Sequence, residues 1–191
     1  VKFLLTFLPW IVFAVAGTQL DWRYAGLIGL GLATILFVVE RIKRNPLDSL
    51  VIEMSSIIYF AAITIFAFAD PSSPLRTILV GLASAWLALT AWGSLAVGAP
   101  FTLGIAKRVV EREAWDHPLF RRTNVVITTV WATSFTVEAI ALTMLLAFAP
   151  HASVATVIIK IAAFAVPVTF TMRYSALAEV RAQRLAAQGL L

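Results

Sequence analysis

GAPFTLGIAKRVVEREAWDHPLFRRTNVVITTVW, residues 98–131, is the stretch on which the reading of this chain turns. It is the only long polar passage in a chain of otherwise nearly continuous hydrocarbon, and it carries Lys107, Arg108, Arg112, Arg121 and Arg122, five of the fifteen Lys and Arg residues. Four apolar segments precede it and two follow. A bilayer core of about 30 Å needs roughly 20 apolar residues per helical crossing, with every backbone polar group paired inside the segment. Apolar runs of that size on both sides of a basic passage therefore specify an all-α, polytopic membrane protein.

Composition agrees. The chain has 191 residues, 61% of them hydrophobic and only 13% charged, and its mean hydropathy is +0.92. Soluble domains are nearer half apolar and a quarter charged, and one small core cannot hide the excess. There are no cysteines, which excludes disulfides, thiolate metal sites and a cysteine nucleophile. The net charge of +5 would suggest nucleic acid in a soluble protein. Here the basic residues lie in short loops between apolar runs, where membrane topology explains them, so no nucleic-acid partner is expected.

Working outward, six spans are expected at about residues 3–17, 24–39, 50–69, 75–97, 125–149 and 154–172, in a single membrane domain covering 1–191. The first run follows Lys2 and ends in Ala14-Val15-Ala16, which resembles a signal peptide. Pro9-Trp10 interrupts it and apolar character soon resumes, so a retained span that kinks or starts late is the better reading. The second run, about 24 Å at 1.5 Å per residue, barely crosses the hydrocarbon. Its Ala25, Gly29 and Ala33 make a groove for another helix, as do Gly81 and Ala85 in the fourth run. Prolines in residues 70–74 and Pro150-His151 mark turns, and Pro167 should bend the last helix near its end. Residues 173–191 read as a helix leaving the membrane.

Orientation follows from the basic residues. Lys2, Arg41, Lys43, Arg44, the five of the long loop, Arg173, Arg181 and Arg184 fall on one face, against Arg23 and Arg76 on the other. Twelve against two puts both termini and the 98–124 loop in the cytoplasm. Within that loop Phe101, Ile105 and Val109 recur every four residues, with Lys107, Arg108, Glu111 and Arg112 mostly off that line. This is the pattern of an amphipathic helix in the inner interface between spans four and five, with Trp115 as its anchor. Arg121, Arg122 and Asn124, just before the fifth span, are candidates with Lys107, Arg108, Arg112 and Trp115 for contacts to anionic lipid or to a partner. A solvated connector whose charges only enforce topology would look the same.

Two ionisable residues fall inside spans: Glu138 in the fifth and Lys160 in the sixth. A charge at mid-membrane costs roughly 2.5–3.5 kcal/mol on insertion scales, so each needs a partner or a wet cavity. Adjacent antiparallel spans bring the two to similar depth, either as a structural ion pair or as an ion or proton relay. Glu53, near the start of the third span, reads as interfacial. His117 and His151 fall on opposite sides of the bilayer and cannot share a metal, and no phosphate-binding glycine loop, GxSxG or HExxH occurs. No cofactor, metal or catalytic residue is expected.

The N-terminal FLPWIVFA, Asp21 with Tyr24-Ala25, Pro100, and the run Phe120, Arg121, Asn124, Trp131 and Phe135 together resemble the intracellular septation protein A family of small bacterial inner-membrane-spanning proteins. The likeness covers most of the chain by layout and few positions by identity, and PFTLGIAKRVV and WDHPLFRRTN depart from it in length and charge. The resemblance implies a role in envelope maintenance or division through contact with other membrane proteins, and it brings no catalytic residues. The other readings are a small transporter or channel using Glu138 and Lys160, a subunit of a larger complex, and an intramembrane lipid-modifying enzyme. The layout admits homo- and hetero-oligomers.

Overall fold

The computed structural model describes residues 2–149 and 151–187. Their regular structure is helical: α1 (Leu8–Gln19), α2 (Trp22–Ile42), α3 (Val51–Ala69), α4 (Leu75–Ala96), α5 (Phe101–Lys107), α6 (Pro118–Phe148) and α7 (Ser153–Ala187), with 3-10 turns at Lys2–Phe7, Leu47–Ser49 and Arg112–Ala114. Among the described residues α2, α3, α6 and α7 are each long and apolar enough to cross a bilayer. α4 and α5 form a pair bent by 79° that makes a fifth candidate, whereas Phe3–Gln19 falls short of span length. Of the six expected runs, the first is thus a 3-10 turn followed by a twelve-residue helix. Pro9 sits in the opening turn of α1, where its missing N–H costs nothing, so the helix starts late instead of kinking.

Three helices outrun their apolar cores. α2 starts at Trp22 because Asp21 caps it, accepting from the Arg23 N–H at 3.0 Å. The Arg23 side chain also donates to Asp21 and holds that carboxyl below its usual range. The capped helix has 21 residues and reaches about 31 Å, a full crossing. α6 starts at Pro118, with His117 Nδ1 accepting from the Leu119 N–H at 3.1 Å. Residues 118–124, expected in a loop, are therefore helical. α7 runs through Pro167 and on to Ala187, so the last span and most of the tail are one helix. Pro150 of the expected turn and residues 188–191 lie outside the described residues.

Small residues set the packing. α2 lies on α3 with Ala25, Gly29 and Ala33 buried, and a Cβ on Gly29 would sit 2.7 Å from the Phe60 ring. The expected groove is thus an internal contact. α4 lies on α6, where Gly81 faces Thr143, and α6 lies on α7. Phe7 enters the middle of the bundle, stacked on Trp131 with centroids 4.8 Å apart and flanked by Phe101, Phe135 and Phe164. An indole N–H has no water partner in hydrocarbon; Trp22 donates to the Pro71 carbonyl at 3.1 Å, and the other four helix-borne Trp each find a hydroxyl on a neighbour. Trp10 donates to Ser56, Trp86 to Ser55, Trp92 to Thr136 and Trp131 to Thr171, at 2.8–3.1 Å. Ile35, Ile65, Leu89 and Ile161 point outward, as a surface solvated by lipid requires.

Candidate functional site

The 98–124 passage is folded back onto the bundle. Gly98, at φ +72°, turns the chain out of α4, and Pro100 then opens α5. Phe101, Thr102 and Gly104 of α5 are buried. Gly104 meets the 3-10 turn at Leu47–Ser49 so closely that a Cβ would be 2.7 Å from the Ser49 Cα. Thr102 Oγ1 donates to the Asn124 carbonyl at 2.9 Å and lies 2.7 Å from the Thr128 hydroxyl. The expected interfacial helix is corrected here: α5 has two turns, its apolar side faces protein, and Val109 lies beyond its end, exposed. Lipid does not win that face because Phe101 fills a space beside Phe7.

Ion pairs fasten the end of α5. Arg108 grips Glu53 with both terminal nitrogens, at 2.8 and 3.0 Å, and also donates to the Ser49 carbonyl. Glu40 stands 3.7 Å from the same guanidinium. The Arg108 side chain is 12% exposed and that of Glu53 only 2%. Glu53 is thus the buried counter-ion of Arg108, where an interfacial residue was expected. Its burial at the start of α3 demands a cation, but that cation lies 55 residues away in sequence. Lys107 pairs with Asp48 at 2.9 Å, and Lys107 and Arg112 both lie over the Trp115 ring. Trp115 donates to the Val110 carbonyl. Arg121 donates to the Gly98 carbonyl, and Asn124, buried in α6, donates to the Phe120 carbonyl.

The seven sequence-selected residues therefore divide. Lys107, Arg108 and Asn124 hold the segment down, and Trp115 is boxed by cations. Arg112, Arg121 and Arg122 are exposed, and so are Arg41 in the last turn of α2 and Lys43 and Arg44 just after it, in the segment to which the ion pairs fasten α5.

Glu138 and Lys160 lie in a different place. The buried Ser84 of α4 and Lys160 of α7 both lie near the Glu138 carboxylate of α6. No ion pair within 4.0 Å joins Glu138 to Lys160 among the described contacts. The expected pairing is thus electrostatic proximity without contact.

The fold and the basic segment define a helical bundle with several apolar helices of membrane-crossing size and a polar cap docked at one end. No protein-family model, curated protein or solved structure matches the chain.

Proposed function

We propose that this is a six-span bacterial inner-membrane protein, with residues 2–7 and the tail after α7 on the cytoplasmic side, which works by presenting a basic cytoplasmic face to anionic lipid and to other membrane proteins. The observation that carries this reading is the ion-paired docking of two chain segments that each bear exposed basic residues. Arg108–Glu53 and Lys107–Asp48 lock residues 101–116 onto residues 40–53, and Arg41, Arg44, Arg112 and Arg122 are left pointing outward. Rigid surfaces bind with less ordering cost than mobile loops, and basic clusters beside spans attract anionic headgroups. The 3-10 turn and α1 support a first crossing: six residues at 2.0 Å and twelve at 1.5 Å reach about 30 Å end to end. The septation-family layout read from the sequence is what supports a role in envelope maintenance or division.

The test replaces Arg44, Arg112 and Arg122 by Gln together, in a strain lacking the native gene. The variant should accumulate in membranes at the wild-type level, fail to rescue the envelope or division defect, and lose its cross-linked neighbours. Full rescue with unchanged cross-links would sink the reading.

A further inference from the structure

A cavity of about 870 Å³ opens beneath the docked segment, within the range of small-molecule sites. Its deep wall is apolar, from Phe7, Leu36, Ile127 and Trp131, and its outer end carries Glu40, Lys43, Asn45, Glu53 and Arg108. The gradient runs the same way on two helices. From α2 into the residue after it the lining passes from Leu36 to Lys43, and on α6 from Trp131 back to Asn124, about 10 Å in each case. Both polar ends lie where the basic segment docks. An apolar ligand would leave the outer end without polar partners, and a polar one would waste the inner wall. The shape calls for an amphiphile lying along the helices.

The charges narrow the head group. Two cations, Lys43 and Arg108, face two carboxylates, Glu40 and Glu53, so the wall is neutral and already cross-paired. A purely anionic head would draw a cation from its carboxylate and leave that carboxylate poorly compensated, which is costly where water is scarce. A head with both signs can satisfy both. Lys43 is the accessible member: its side chain is 60% exposed and its ammonium is bonded to Glu40 alone among the described contacts. Two of its three N–H groups are therefore open to a phosphate.

We propose that this cavity binds one zwitterionic phospholipid, with an acyl chain against Leu36, Ile127 and Trp131, the phosphate at Lys43 and the ammonium at Glu40. This goes beyond the partner-docking reading and does not rest on it.

Native mass spectrometry of the full chain in a lipid-free non-ionic detergent tests it, with phosphatidylethanolamine and phosphatidylglycerol of identical chains added in competition. One phosphatidylethanolamine should be retained per protein, about tenfold over phosphatidylglycerol, a difference of about 1.4 kcal/mol. Leu36→Trp on α2 and Ala106→Phe on α5 each fill the cavity from a different side, and each should lower retention about tenfold at unchanged melting temperature. Glu40→Gln, which removes the partner of the ammonium, should abolish the preference between the two lipids, whereas Lys43→Gln should weaken both and keep the preference. Equal uptake of both lipids by the wild-type protein overturns the proposal, and so does wild-type retention in either filled variant that folds. Should neither filled variant fold, the wild-type competition and Glu40→Gln decide the matter alone.

Discussion

Arg108 and Glu53 form the contact on which the polar cap depends; Glu53 is buried and the Arg108 side chain is mostly shielded. Removing one partner of such a pair strands the other charge and costs about 3–5 kcal/mol, while removing both costs much less. Arg108→Gln should therefore lower the melting temperature in detergent strongly, and Arg108→Gln with Glu53→Gln should recover much of the loss. A double variant no more stable than Arg108→Gln would show that the pair is not coupled as the distances imply. Glu138 and Lys160 call for the opposite expectation. The Ser84 hydroxyl of α4 lies near the Glu138 side chain, and a glutamine is of the same size and can still meet it. Glu138→Gln, Lys160→Met and their combination should all reach wild-type levels and rescue a deletion strain. Normal accumulation with lost rescue would move the function to charge within the membrane, and ion or proton flux in liposomes would become the assay. The place of these two residues on long apolar helices was legible from the hydropathy of their segments. The Arg108–Glu53 pair was not, because nothing in either local segment encodes a partner that only tertiary folding brings near.

Among the elements, α5 shows how far sequence pattern reaches. The four-residue repeat of Phe101 and Ile105 marks a helical face, but periodicity cannot say whether lipid or protein covers it. The clue was Gly104, since a glycine inside a helix costs about 1 kcal/mol relative to alanine and calls for a reason. Here the reason is the Leu47–Ser49 turn, whose backbone leaves no room for a Cβ. Gly104→Ala should cost about 1–3 kcal/mol as an overpacked contact and should speed proteolysis within residues 98–117. Gly31→Ala is the control: it meets nothing within 4 Å on α2, so it should leave the protein as stable or raise stability by up to about 1 kcal/mol. If both substitutions behaved alike, the close approach would not be what holds α5. Helix ends were misjudged for a related reason. Hydropathy measures what lipid tolerates, whereas helices end where backbone bonding ends, so capped α2 and α6 and the long α7 run past their apolar cores.

For the molecule as a whole, topology is the property most open to direct measurement. If every apolar run crosses, basic residues fall twelve to two between the two faces, a bias that would orient the bundle strongly. The weak point is the first run, where a 3-10 turn must supply the reach that α1 lacks. Because the chain has no cysteine, single cysteines can be introduced without background. Thr18→Cys, Ser72→Cys and His151→Cys occupy exposed positions at the end with few basic residues, and Glu113→Cys and Glu179→Cys occupy exposed positions on the basic side. In cells with a permeabilised outer membrane, an impermeant maleimide should label positions 18, 72 and 151. It should reach 113 and 179 only after lysis. Labelling at 72 and 151 with position 18 protected would mean that the N-terminal segment enters the bilayer without crossing it. Labelling at 113 in intact cells would invert the bundle and put the basic face, and the lipid cavity beneath it, on the outer side.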